Sequence, residues 1–305
     1  MRASVIVPSY NSRGTITHCL KAIEDQRTVH SFEIVVVDSS NDGTGDLIES
    51  GFPGVKLIRM PQRTLPGLAR NLGIEVSQGE ILAFTDADCI PEPLWLDKMI
   101  SQHESGRYAA VGGSVFNGLP FHPVAWAGYL LEFSERLPKL PKREVDLLPT
   151  CNVSVTRSAF ERHGLFPTNL WPSEDHIFSW KLVQGGESLL FNPGIRVRHI
   201  FRTGLRSFLQ HQVRLGRASA TARRQVDLPH RWLVDHPLRF FVSVIRLILL
   251  EARLGRWDLV NFLRFNLLLP LCLSGLIAWG IGFCLDHKSS DELASPLEKK
   301  AFPET

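Results

Sequence analysis

Short runs of β-branched and other apolar residues recur through the amino-terminal part of the chain, at 3–8, 32–38, 55–59, 81–85 and 109–116. Each is too short for a helix and lacks polar alternation, so each predicts a strand buried on both faces, as parallel strands are. Between the runs, apolar positions fall three or four apart: Ile16, Cys19, Leu20 and Ile23 in one interval, Leu68, Ala69, Leu72 and Val76 in another. That is the period of an amphipathic helix. The alternation predicts a βαβ series and hence an α/β sheet. Pro and charged residues then dominate 117–150, which predicts a long excursion from the sheet. Strands are predicted again at 151–155, 188–191 and 196–199. A helix is expected to start after Ser173 as its N-cap, with Glu174 and Asp175 in the first turn, and an Arg-rich helix covers about 205–224.

The pattern changes at the carboxyl end. Residues 265–285 contain no ionised side chain and as a helix would reach roughly 30 Å, the thickness of a bilayer core, so they predict a transmembrane helix. The run 238–250 is as apolar but would cover only about 20 Å, and Arg246 at its centre would cost roughly 2.5–3.5 kcal/mol in mid-membrane. Interfacial amphipathic helices are therefore expected over 231–264. A buried helical hairpin is the other reading of this region, disfavoured by Pro270, Gly275, Gly280 and Gly282. The polar residues 286–305 predict a disordered tail.

Composition narrows the picture. With 44% hydrophobic and 21% charged residues the chain is not intrinsically disordered, and five cysteines without regular spacing exclude a disulfide framework or a zinc ribbon. The odd number of cysteines suits a reducing compartment. The formal net charge of +3 conceals a block at 196–264 with 14 Arg, no Lys and four acids, a net of +10. A block this basic lies beside a polyanion: nucleic acid, an anionic membrane or a phosphorylated ligand. The apolar segment downstream favours the membrane over nucleic acid, and the positive-inside rule puts the preceding domain on the cytoplasmic face. The chain runs from Met1 and Arg2 straight into a strand, so the amino-terminal part is expected to stay in the cytosol.

No G-x-G-x-x-G follows the first strand and no Walker A loop occurs, which argues against an ordinary dinucleotide site or a P-loop NTPase. Instead the run 81–85 leads into Asp86-Ala87-Asp88, whose two carboxylates share one side of an extended segment. At the carboxyl end of a parallel strand such a pair is costly unless a cation neutralises it, and Mg²⁺ or Mn²⁺ bridging to a diphosphate does so. By itself D-x-D also describes a surface turn before Pro91. The other strand ends supply context: Pro8-Ser9-Tyr10-Asn11, and Val36-Val37-Asp38-Ser39-Ser40-Asn41-Asp42-Gly43-Thr44. With Gly67-Leu68-Ala69-Arg70-Asn71-Leu72-Gly73-Ile74 and Phe84-Thr85-Asp86-Ala87-Asp88, this ordered set resembles the family 2 glycosyltransferases of the GT-A fold. The resemblance continues through 151–157, Ser173-Glu174-Asp175, Asn192-Pro193 and Val197-Arg198-His199, and covers roughly residues 3 to 200.

The resemblance implies a GT-A domain over 1–230, a Rossmann-like mixed sheet flanked by helices, followed by membrane-associated helices. Pro8, Tyr10, Asn11 and Asp38 would line the nucleoside pocket, Asp38 accepting a hydrogen bond from the base. Arg70 would lie near the donor diphosphate with Asn71 beside it, and Asp86 would contact the donor. Asp86, Asp88 and His199 would hold Mg²⁺ or Mn²⁺. Asp175 would be the general base, with Glu174 shaping the site. Ser39 stands where the family often has a second acid. The segment Gln210 to Arg214 echoes a motif of processive synthases only in part, which favours single-sugar addition. The implied activity is inverting, metal-dependent transfer from a nucleotide diphosphate sugar to a hydroxyl of a lipid-linked or cell-envelope glycan, at the cytoplasmic face of a membrane. No nucleic acid partner is implied. Two rivals fit the same residues: a nucleotidyltransferase acting on a sugar phosphate, which would release pyrophosphate, and a non-catalytic membrane-anchored protein that binds a nucleotide or glycan.

Overall fold

The strands are β1 (Ala3–Ser9), β2 (Phe32–Asp38), β3 (Val55–Arg59), β4 (Ile81–Thr85), β5 (Cys89–Pro91), β6 (Tyr108–Asn117), β7 (Arg143–Glu144), β8 (Asn152–Thr156) and β9 (Ser188–His199). They form one sheet in the order β3-β2-β1-β4-β8-β6-β9-β5, with β7 paired to β9. The computed structural model describes residues 1–285, so the tail expected over 286–305 lies outside the described residues. The first four apolar runs pair in parallel. Between them lie α1 (Ile16–Glu24), α2 (Thr44–Gly51) and α3 (Pro66–Val76); α1 buries Ile16, Cys19, Leu20 and Ile23.

Parallel pairing does not run through the whole sheet. β8 runs antiparallel to both β4 and β6, because the chain enters it from the carboxyl edge of the sheet through Pro149, Thr150 and Cys151. β6 keeps the direction of β4 and pairs in parallel with β9, while β5 crosses back against β9. The two short strands expected at 188–191 and 196–199 are one strand, whose irregular register beside Gly113 and Ser114 accommodates Pro193 and Gly194.

The remaining helices are α4 (Trp95–His103), α5 (Pro123–Phe133), α6 (Arg157–His163), α7 (Glu174–Gln184), α8 (Leu205–Gln225), α9 (Val242–Trp257), α10 (Leu259–Leu267) and α11 (Leu269–Cys284). The excursion at 117–150 is thus not a loop throughout. Its helix α5 buries Ala125, Ala127, Tyr129, Leu130 and Leu131, and a helix covered on most sides shows no amphipathic period. Ser173 does precede α7, but its backbone lies in the left-handed region (φ 101°) and its hydroxyl makes no capping bond.

The single transmembrane helix expected over 265–285 is not formed. α10 and α11 meet at 84°, and among the described residues no single helix is long and apolar enough to cross a membrane. The break falls at Leu268, just ahead of Pro270, which sits in the first turn of α11, where its missing N–H costs nothing. Cys272, Leu276, Trp279 and Phe283 are buried, and Cys272 and Leu276 share a cluster with Leu131, Phe191, Phe208 and Leu250. A Cβ on Gly216 of α8 would strike the Trp279 carbonyl, and one on Gly282 of α11 would strike that of Val213. The glycines therefore let two helices cross closely, close to the hairpin reading of this region.

Candidate active site

The carboxyl ends of β1, β2 and β4 open on one edge of the sheet, with the start of β8 beside β4. Ser9 stands opposite Asp38, which is 3% exposed. Its carboxylate accepts the Ser40 hydroxyl at 2.5 Å, and Ser40 Oγ in turn accepts the Asn11 backbone N–H at 2.7 Å. Asn11 adopts φ 51° and accepts the Asn41 N–H on Oδ1 at 3.1 Å, locking the two strand tips together. Pro8 is half-buried beside them. Tyr10 is 41% exposed, and Arg63 lies 4.7 Å above its ring. Arg63 also faces Trp171 at 5.5 Å, and Arg214 faces the same indole at 4.8 Å. An aromatic and guanidinium stack therefore links the tip of β1 to α8.

Arg70 joins two motifs that are far apart in sequence. Its guanidinium, 3% exposed, donates to Asp86 Oδ1 at 2.7 Å and to Glu174 Oε1 at 2.5 Å. Burial pulls Arg70 down in pKa, and Asp86 and Glu174 more than reverse that, so it stays charged. The approach needs Gly67, where a Cβ would collide with the Pro167 carbonyl. With both terminal nitrogens occupied, Arg70 is a strut between the two carboxylates at the edge where the donor diphosphate is expected. The Asn71 amide donates to the Phe166 carbonyl and accepts the Phe166 N–H, at 2.9 and 3.1 Å. It clamps the loop before α7.

Asp88 Oδ1 lies 3.6 Å from His199 Nε2, and the Ile200 N–H donates to the Asp88 carbonyl at 2.9 Å. Strand pairing of Cys89 with His199 fixes that approach. His199 is buried against Phe133 and Phe201, and its Nδ1 has no partner. The Cys89 sulfur belongs to the same cluster, but burial pushes its thiol well up, so it offers no thiolate. A carboxylate and an imidazole, with Asp86 adjoining, fit Mg²⁺ or Mn²⁺ better than a thiophilic ion.

Glu174 is buried on Arg70, whereas Asp175 is half-buried. Burial pushes both carboxyls above the usual range despite the nearby Arg70. Asp175 accepts the His176 N–H at 2.9 Å and faces a cavity of about 420 Å³ between the sheet domain and the carboxyl-terminal helices.

Residues 4–164 match the family model described as glycosyl transferase family 2. The chain belongs to that family. It is 29% identical over 265 residues to the glycosyltransferase AglE of Haloferax volcanii, covering 85% of this chain and 81% of that one. It is 26% identical over 227 residues to the pre-mycofactocin glycosyltransferase of Mycobacterium tuberculosis, covering 71% of this chain and 46% of that longer protein. In fold it is similar to the mannosyltransferase PcManGT of Pyrobaculum calidifontis, solved with GDP-Man and Mn²⁺, at TM-score 0.64 and 20% identity over 93% of this chain and 87% of that one. It is similar also to residues 1–349 of S. aureus TarS, solved with UDP-GlcNAc, at TM-score 0.56 and 18% identity over 93% and 90%. The mixed sheet is thus a GT-A fold and the protein is a glycosyltransferase, which sets aside the nucleotidyltransferase and the non-catalytic binder.

For this glycosyltransferase the sequence reading missed Arg63 and Trp171, which lie outside any motif, and did not foresee Arg214 against the same indole. Arg246 did give a signal, as a lone charge in an apolar run. Its guanidinium turns inward over the Trp279 ring at 4.0 Å and donates to the Leu131 carbonyl at 3.1 Å.

Proposed function

We propose that this glycosyltransferase moves a sugar from a nucleotide diphosphate donor to a hydroxyl of a lipid-linked or cell-envelope glycan, inverting the anomeric centre with Mg²⁺ or Mn²⁺ bound. The observation that carries the reading is the Arg70 bridge, which holds the D-x-D carboxylate Asp86 and the E-D pair in one rigid frame at the carboxyl edge of the sheet. Asp38, Asn11 and Tyr10 bind the nucleoside, and Arg63 lies above Tyr10 as a cationic cover. Asp88 and His199, with Asp86, hold the cation, which when bound neutralises charge on the leaving diphosphate. Asp175 accepts the acceptor proton as the acceptor oxygen bonds to the anomeric carbon and the bond to the diphosphate breaks. The direct test is an incubation with nucleotide sugars and Mn²⁺: nucleoside diphosphate release and a product of opposite anomeric configuration are expected, and a retained configuration removes the assignment.

Asp88→Asn is expected to lower Mn²⁺-dependent donor binding at least tenfold, because it removes the carboxylate facing His199, while the melting temperature without metal stays the same. Thermal shift with and without Mn²⁺ reads both, since a ligand stabilises in proportion to ln(1 + [L]/Kd). Donor binding that ignores both chelator and substitution contradicts the metal role.

Membrane association is the second part of the proposal. Each carboxyl-terminal helix carries an exposed apolar stripe: Val244, Ile245, Ile248 and Leu249 on α9, Leu259, Val260, Leu263 and Leu267 on α10, and Ile277 and Ile281 on α11. These stripes suit a monotopic docking surface at the cytoplasmic face, next to the arginine-rich block. Leu259→Glu combined with Leu263→Glu is expected to reduce binding to phosphatidylglycerol vesicles about tenfold or more, since each buried Leu contributes roughly 1.5–3 kcal/mol. Unaltered sedimentation with vesicles contradicts this surface.

A further inference from the structure

The 420 Å³ cavity has two kinds of wall. One is apolar, including Leu131, Leu215, Leu250, Leu276, Trp279 and Phe283. The other carries Arg136, Arg223, Arg246 and Arg253. Of these, Arg253 is paired with Glu135 at 2.8 Å. Of the other acids of the wall, Glu132 is already occupied by Gln212 at 2.8 Å and His211 at 3.4 Å, and Asp175 accepts the His176 N–H. Among the described residues Arg136, Arg223 and Arg246 make no ion pair; their bonds go to backbone carbonyls and, for Arg223, to the Ser219 hydroxyl as well. Arg136 Nε and Arg246 Nη1 are shielded from solvent and have no hydrogen-bond partner. Burial pulls both guanidinium groups down to about 10, which leaves them charged at neutral pH. Three guanidinium cations without an ion-pair partner on the wall of a cavity of this size favour an anion there. The cavity mouth is formed by Ile245 and Leu249, which are 39% and 50% exposed and belong to the apolar stripe of α9.

We infer that this cavity is the acceptor site, and that the acceptor is a sugar joined through a phosphate or diphosphate to a long hydrocarbon chain. The inference rests on the glycosyltransferase reading of Asp175 above. The arginines hold the anionic link, the hydrocarbon leaves along the apolar wall past Ile245 and Leu249, and the sugar hydroxyl meets Asp175 on the same cavity. A lipid phosphate oxygen as the nucleophile fits less well, because a phosphate anion would have to lie against the Asp175 carboxylate and would bring no proton for it to take. An apolar chain with no anion would leave the positive charge of the arginine wall uncompensated.

The test titrates the full-length protein with farnesyl diphosphate, farnesol and inorganic diphosphate in EDTA, which keeps cations from the donor site. Farnesyl diphosphate is expected to bind at least tenfold more tightly than either fragment. Arg246→Met is expected to weaken it about tenfold or more, consistent with the loss of charge-assisted hydrogen bonds. Leu249→Asp, at the half-exposed mouth, disturbs no buried core and is expected to weaken it similarly, so the inference stays testable if Arg246→Met does not fold. Both variants should bind nucleotide sugar with Mn²⁺ as the wild type does. Farnesol binding as tightly as farnesyl diphosphate, or wild-type affinity in both variants, overturns the inference. Sugar transfer onto the phosphate oxygen of farnesyl phosphate overturns the placement of the hydroxyl at Asp175. Loss of nucleotide-sugar binding by the wild type, with farnesyl diphosphate still bound, would instead count against the donor reading and leave the cavity assignment standing.

Discussion

Asp175→Asn is expected to bind donor with wild-type affinity and to lose turnover by a factor on the order of 10²–10⁴, the usual contribution of a positioned base. The fold should tolerate the change, since Asp175 is half-buried on a cavity wall and Asn keeps the acceptor oxygen that receives the His176 N–H at 2.9 Å. What disappears is the proton acceptor. The pH profile supplies an independent reading of the same role. Burial pushes the Asp175 carboxyl above its ordinary range, only partly offset by Arg70. A base works when deprotonated, so kcat/KM should rise with pH through that raised value, with its acid limb at higher pH than an exposed Asp would give. Asp175→Asn should abolish that limb in the residual rate. A variant that turns over near the wild-type rate contradicts the assignment.

The second large effect is on stability. Arg70→Met is expected to cost about 3–5 kcal/mol, because it leaves Glu174 as a buried charge without its partner. The Arg70 and Glu174 side chains are only 3% and 5% exposed, so little solvent screens their interaction. In a chain this size that loss corresponds to a fall in melting temperature on the order of 10 °C. Adding Glu174→Gln to Arg70→Met should recover part of the loss, since it removes the stranded charge. A double-mutant cycle on melting temperature or denaturant midpoint measures that coupling. Additive effects of the two substitutions would show that the pair does not act as a unit. Arg70 itself lay within a motif, but its role as a strut could not be read there. Its partners are 16 and 104 residues away, and only the convergence of α3, β4 and α7 brings them within reach.

Segments whose physics is local were legible from the chain. β1 to β4 announce themselves because a strand buried on both faces needs an unbroken apolar run, and α1 because a helix buried on one face needs apolar positions three and four apart. The D-x-D and E-D acids were legible for the same reason, each pair lying within three residues at the end of a strand or the start of a helix. The antiparallel insertion of β8 was not, since an apolar run is the same read in either direction. Nor was α5, whose burial on most sides erases the amphipathic period, or the loop clamp made by Asn71. The uncharged stretch 265–285 shows the limit most clearly. Hydropathy records that its side chains avoid water, and lipid or protein can satisfy that equally. Only the tertiary structure decided in favour of a bend at Leu268 and a close crossing of α8 on α11 at Gly216 and Gly282. The same crossing encloses the cavity before Asp175 and turns Arg246, a lone charge in an apolar run, inward to line it. A sequence fixes how strongly each residue seeks burial or a counter-charge; which distant residue meets that demand is set by packing in three dimensions.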